Sequence, residues 1–229
     1  MSEQEKVMTI TLMRSDLYDS PSYTGAYLQL PAQQSEIQDA LERARITGDQ
    51  PYKIVECFNS QGEYLEFIPE NPPLTELYFL ARRISDLNDY EKLAFINRVS
   101  MEENPPDMKK LINITYNLKE YHVVGGIGND KDLGKFYIDN DMAEELQNVP
   151  DEALKYLNYE KIGRTYREAG KGQFINGSYV LSQNLEFEEV YDGIHLPEQP
   201  VDADYVFKLL VCDGTFYPAG DDVKKGTKY

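Results

Sequence analysis

The run Pro69-Glu70-Asn71-Pro72-Pro73 separates two hydrophobic patterns that belong to different kinds of secondary structure. Three prolines in five residues remove backbone donors and keep the chain extended, so neither a helix nor a central strand crosses this point. Upstream, residues 7–12 and 26–30 combine β-forming residues with approximate alternation, and residues 53–58 and 64–68 follow as two more strands. The sequence Asn59-Ser60-Gln61-Gly62 predicts a hairpin joining the last two. One helix interrupts them. Ser35-Glu36-Ile37-Gln38 has the Ser-x-x-Gln form of a capping box, and Ile37, Ala40, Leu41 and Ala44 line one face until Gly48.

Downstream of the prolines the period changes to 3.6. Leu74, Leu77, Tyr78, Ala81 and Ile84 share a helix face; Asp89 is placed to cap a second helix with Tyr90, Leu93, Ala94 and Val99 inward. Asn104-Pro105-Pro106-Asp107 opens a third, with Met108, Leu111, Ile112 and Thr115 on one side. Three helices this short are too small for a core of their own and must pack on a neighbour. A strand over 120–124 leads through Gly125-Gly126-Ile127-Gly128 into a helix over 130–138. Helices over 150–157 and 159–169 come next, with Gly170 as the stop of the latter, then strand and turn over 174–181 around Asn176-Gly177. Candidate strands at 185–191 and 205–211, with loops at Pro197, Pro200 and Pro218, complete the chain. The expected fold class is α+β. An antiparallel sheet plus helix occupies 1–72, a short helical bundle 73–115, a second α+β unit 116–183, and a β-rich extension without assigned role 184–229.

Charge narrows the function. Forty Asp and Glu against 23 Lys and Arg give a net charge of −17, while 41% hydrophobic residues are enough to fold. The acids are dispersed. Residues 1–72 hold 12 acids and 5 bases, 73–115 hold 7 and 6, 116–183 hold 11 and 8, and 184–229 hold 10 and 4, with no acidic run longer than two. That is an acidic surface on a folded frame rather than a solvated tail. It excludes a direct grip on nucleic acid, where basic residues must neutralise phosphates, and an attraction to anionic membranes. Cations, basic proteins and proteins built to hold a polyanion remain as partners. Cys57 and Cys212 follow no Cys-x-x-Cys spacing, the first residues MSEQEKVMTITL lack the basic start of a signal peptide, and no apolar run spans a membrane. The expectation is a soluble cytoplasmic protein, in which the sequons at Asn113 and Asn176 carry no weight.

No motif points to catalysis. The glycine cluster lacks the spacing of a dinucleotide loop and the Lys-Ser/Thr of a P-loop, and Asn129, Asp130 and Asp132 follow it, so a turn is expected. His122 and His195 have no local partner at metal-ligand spacing, and Cys57 sits inside a strand as a small hydrophobe. Carboxylate pairs such as Asp139/Asp141, Glu144/Glu145 and Glu188/Glu189 are too numerous for any one to stand out as acid and base. We therefore expect no catalytic residue, no metal and no cofactor. Excess negative charge nevertheless costs self-repulsion, so something other than stability maintains it.

The strings Leu133-Gly134-Lys135-Phe136-Tyr137-Ile138, Pro150 to Leu157 and Asn158-Tyr159-Glu160-Lys161-Ile162-Gly163-Arg164 are similar to the C-terminal part of ArdA-type antirestriction proteins, with Pro150, Leu154, Tyr156, Tyr159, Glu160, Gly163 and Arg164 on the shared positions. Gly25 to Pro31 resembles that family's opening, and Glu76-Leu77 falls where its second unit begins. Thr165 stands where the family often carries Asp, and residues 184–229 extend past its compact length.

The resemblance, which covers about residues 7–183, implies a non-enzymatic, elongated, three-part protein, commonly a homodimer, that imitates bent B-form DNA and occupies the DNA groove of Type I restriction-modification enzymes, protecting mobile DNA. Its carboxylates would stand in for phosphates: Asp16, Asp19, Glu36, Asp39 and Glu42 in the first unit, and Asp86, Asp89, Glu102, Glu103, Asp130, Asp132, Asp139, Asp141, Glu144, Glu145, Asp151 and Glu152 beyond it. The strand edge at Tyr121, Val123 and Val124 is the expected dimer contact. The alternative is an acidic adaptor that binds a basic host-defence protein without DNA-like geometry.

Overall fold

A computed structural model describes residues 5–47, 50–146, 149–154, 156–182 and 186–197. In chain order it contains β1 (Met8–Arg14), β2 (Ala26–Leu30), α1 (Gln34–Arg43), β3 (Tyr52–Asn59), α2 (Leu74–Asp86), α3 (Asp89–Ser100), α4 (Met108–Ile114), β4 (Tyr121–Gly125), α5 (Asp130–Asp139), α6 (Asp151–Leu154), α7 (Tyr159–Gly170), β5 (Gln173–Ile175) and β6 (Ser178–Ser182). Short 3-10 turns lie at Ser15–Leu17, Leu118–Glu120 and Glu144–Leu146. The fold is α+β, with two antiparallel three-stranded sheets. The described residues form two compact units, one from 5–87 with 104–116 and 188–197, the other from 88–103 with 117–187. The helices after the prolines are thus shared out, α2 and α4 to the first unit and α3 to the second.

In the first unit β1 is the central strand, in the order β2-β1-β3. Met8, Ile10 and Leu12 alternate inward, opposite Leu30 and Leu28 on β2. A bulge in β3 sets its burial. Thr11 pairs with Glu56 and Leu12 with Ile54, so Val55 is the extra residue, and Ile54 and Cys57 both face the core although they are three apart. Gly25, before β2, has φ +70, and a Cβ there would run into the Leu12 carbonyl, which is why that turn takes a glycine. Ile37 and Ala40 of α1, Leu77 and Leu80 of α2, and Leu111 and Ile112 of α4 are fully buried. Each large apolar side chain among them contributes about 1.5–3 kcal/mol of burial. The Tyr78 hydroxyl donates to Ala32 O at 3.3 Å.

In the second unit the sheet order is β4-β6-β5, closed by the tight turn at Asn176-Gly177. Ile127, Leu133 and Tyr179 form a core with Val124, Phe136, Tyr137, Phe174 and Leu181 against it. Helices α5 and α7 cross at two glycines. A Cβ on Gly134 would meet the backbone of Tyr159 and Gly163, and one on Gly163 would meet Asp130 O and Gly134 N. Only paired glycines allow that approach.

Several local expectations shift. The capping box of α1 is Gln33 with Glu36, two residues earlier than Ser35 with Gln38, because Gln33 is the last extended residue. Asn88, not Asp89, caps α3, accepting from Glu91 N–H. Residues 64–68 form a single bridge, Phe58 to Tyr64, and then turn, because Leu65 and Ile68 fold back onto the unit. Gly170 is the last residue of α7, and Lys171 takes the left-handed position (φ 55). Helix α6 is described only over Asp151–Leu154, and residues 156–157 are turn. Of the β-rich extension, residues 186–191 join no ladder, and 205–211 lie outside the described residues.

Candidate acidic interaction surface

Fifteen of the seventeen expected carboxylates fall into three situations. Some work inside the fold. Asp130, on the first turn of α5, receives Arg167 Nε at 2.7 Å and Nη2 at 3.3 Å, with Arg164 Nε at 3.5 Å. These partners hold its carboxyl below the usual range, led by the Arg167 hydrogen bond. Asp132 receives a 2.6 Å bond from Asn129 Nδ2, while Asn129 Oδ1 accepts from Asp132 N–H and so caps α5. Glu102 pairs with Arg98 at 2.5 Å, and that guanidinium lies 5.5 Å over the Tyr121 ring.

Others are exposed but paired. Asp16 bonds Arg14 Nε at 2.6 Å, which lowers its pKa; Asp39 bonds Arg43 at 2.8 Å. Glu36 pairs with Lys6 at 2.6 Å and accepts the Gln33 N–H; partial burial opposes its ionisation, and these two bonds overcome it. Glu145 accepts from its own backbone N–H and from Tyr166 O–H at 2.8 Å, both favouring the charged form. The third group is Asp19, Glu42, Asp86, Asp89, Glu103, Asp139, Asp141 and Glu152, which are exposed and enter no ion pair among the described residues. The side chains of Glu144 and Asp151 lie outside the described set.

Basic residues are treated differently. In residues 73–115 the formal charge nearly cancels, yet Arg82, Arg83, Lys92, Arg98, Lys109 and Lys110 are all half-buried, while Asp86, Asp89, Glu103 and Asp107 are exposed. In the first unit Arg83 stacks 4.1 Å from the Tyr116 ring and bonds Thr115, and Lys109 bonds Glu189 at 2.8 Å. In the second, Arg98 is turned inward as described. The charge this stretch presents to solvent is therefore acidic. Lys131, Lys135 and Lys161 stay exposed on α5 and α7, whereas Asp139, the last residue of α5, and Asp141, Glu145 and Glu152, which follow it in the chain, are exposed acids. No basic residue occupies the last turn of α5. Asp139, in the last turn, opposes the helix dipole by about 0.3–1 kcal/mol, so helix stability does not account for it.

Exposed carboxylates outside the expected set lie at Glu56, Glu63, Glu66 and Glu70. The dense acidity of 1–72 is the one sequence signal that points to them. Tyr121 and Val123 are buried and Val124 half-buried. The outer edge of β4 is occupied by Tyr90, whose hydroxyl donates to Tyr121 O at 3.2 Å and accepts from Val123 N–H at 3.3 Å. Burial raises the Cys57 thiol to about 12, which keeps it an inert core group. His195 Nδ1 lies 2.8 Å from Asp192 Oδ2. Among the described residues no three His, Cys, Asp or Glu side chains gather to hold a metal ion, and no helix is long and apolar enough to cross a membrane.

Residues 16–181 match the family model described as antirestriction protein (ArdA). The chain belongs to the ArdA family of antirestriction proteins. Membership in this non-catalytic family supports an antirestriction function and implies interaction with restriction-modification enzymes. No curated protein matches the chain. The shared ArdA positions also have structural work: Gly163 is half of the α5–α7 crossing, Arg164 bridges Glu160 and Asp130, and Tyr159 donates to Leu154 O at 3.3 Å.

Proposed function

We propose that the protein inhibits Type I restriction-modification enzymes by presenting its carboxylates where the DNA duplex would lie, and so protects mobile DNA. The observation that carries this reading is the asymmetry in residues 73–115, where all six bases are half-buried while four of the seven acids are exposed. A field of exposed carboxylates offers the Lys and Arg of a DNA groove the same charge pattern as phosphates. B-DNA carries one charge per roughly 1.7 Å of axis, so a dimer's net charge equals that of about 58 Å of duplex.

A homodimer is part of the proposal, with its contact along the outer edge of β4. Because Tyr121 and Val123 point into the core, that contact runs through Val124 and the Tyr90 ring, which is 46% exposed. The protein would reside in the cytoplasm with its targets, bind no nucleic acid or membrane, and need no cofactor.

The test is competition. Labelled duplex bound to a purified Type I enzyme is titrated with the protein at several salt concentrations. Displacement that weakens steeply with salt is expected. Binding to the enzyme without displacement of DNA would instead identify an acidic adaptor.

A further inference from the structure

Residues 188–197 belong to the first unit but join no sheet, running without regular structure to Asp192 and bending at 193–195, and the grip on 189–191 is specific. Asn113 on α4 engages the segment's backbone with both ends of its amide. Its Oδ1 accepts from Val190 N–H and Tyr191 N–H, both at 2.8 Å, and its Nδ2 donates to Tyr191 O at 2.8 Å. Tyr191 is 2% exposed, and its hydroxyl donates to Glu76 Oε1 on α2 at 2.6 Å. One turn before Asn113, Lys109 pairs with Glu189 at 2.8 Å. The family match ends at residue 181, so this segment lies outside it.

These are the three elements by which a groove recognises a peptide: main-chain bonds for the extended backbone, a buried aromatic anchor with a polar end, and a charge pair at the flank. None of them depends on the segment being covalently continuous with the groove. We infer that Glu76, Lys109 and Asn113 form a peptide-recognition site for an extended acidic-Val-Tyr-acidic segment. Residues 189–192 are its tethered occupant, and the same segment of a second copy of this chain enters it in trans. Exchange of an identical element preserves every contact, and the tether favours the internal copy only through effective concentration.

The probe is a fluorescein-labelled peptide of residues 186–197, titrated with full-length protein and followed by anisotropy. Tyr191→Ala removes the resident anchor, and this variant binds the peptide saturably. The wild type binds it at least about tenfold more weakly, because its own segment competes at high effective concentration. Adding Asn113→Ala to Tyr191→Ala abolishes binding. A folded Tyr191→Ala chain that ignores the peptide overturns the inference, as does equal binding with and without Asn113. Should Tyr191→Ala fail to fold, hydrogen exchange of the wild type decides. The amides of Val190 and Tyr191 then exchange faster than those of β1, because the segment leaves while the unit stays folded. Exchange of those two amides only together with β1 overturns the inference.

Discussion

Arg167, near the end of α7, grips Asp130, on the first turn of α5, through both carboxylate oxygens, at 2.7 and 3.3 Å. The pair lies beside the glycine crossing of the same two helices, so a residue that looks like surface charge is part of a helix–helix joint. Asp130→Asn is therefore expected to lower the melting temperature by about 2–4 °C, a loss that calorimetry resolves. It should do so without a matching loss of inhibitory activity. A variant as stable as the wild type would remove Asp130 from the joint.

Acid stability follows from the same group. The folded carboxyls of Asp130, Asp16 and Asp192 titrate below the ordinary range, for which the leading causes are hydrogen bonds from Arg167, Arg14 and His195 respectively. The unfolded chain thus binds more protons than the native one as pH falls below about 5, and stability declines with it. Their contribution is complete above the unfolded pKa, near 3.9, and disappears as pH drops through the lower folded values. Urea midpoints should hold from pH 6 to about pH 5 and fall from there toward pH 3, and Asp130→Asn should flatten that fall.

At the crossing itself, Gly134→Ala or Gly163→Ala places a methyl group against backbone that cannot give way. Each is expected to cost about 3 kcal/mol in chemical denaturation. An unchanged midpoint would mean that the helices have room to separate.

Inhibition should depend on many carboxylates weakly rather than on one strongly. Asp86→Asn, Asp89→Asn, Glu103→Gln, Asp139→Asn, Asp141→Asn and Glu152→Gln are each expected to weaken displacement of DNA less than about fivefold, in line with exposed charges at about 0.2–1 kcal/mol apiece. All six together should weaken it by on the order of 100-fold, with a shallower salt dependence. If the sixfold variant competes as well as the wild type, carboxylates are not the recognition element.

Tyr90→Phe keeps the ring and removes the hydroxyl that occupies Tyr121 O and Val123 N–H. Two backbone groups of an edge strand become available for another strand, so self-association should tighten in sedimentation equilibrium while stability falls by about 1 kcal/mol. An unchanged association constant would show that this edge takes no part in the dimer.

Local signals served well where one segment contains all the determinants. The 3.6 period after Pro73 marks α2 and α4, and Asn176-Gly177 marks the β5–β6 turn. They failed where a distant residue decides. Residues 64–68 have β-forming side chains but almost no strand partner, since β3 offers them only the bridge at Phe58. Residues 185–191 carried a similar signal, and Val190 and Tyr191 bond instead to the amide of Asn113, some 77 positions earlier.

The sequence alone determined the α+β class, the break at Pro69–Pro73, the net charge of −17 and the family. All of these are sums or short-range patterns, and they survive without knowing which segments touch. Which charges reach solvent was decided by the tertiary structure, because Arg83, Arg98 and Arg167 are drawn onto Tyr116, Tyr121 and Asp130 by contacts the chain order does not display. A net charge counts residues, but a partner meets only the surface. Packing, by turning bases inward, makes residues 73–115 more acidic to a partner than their composition suggests.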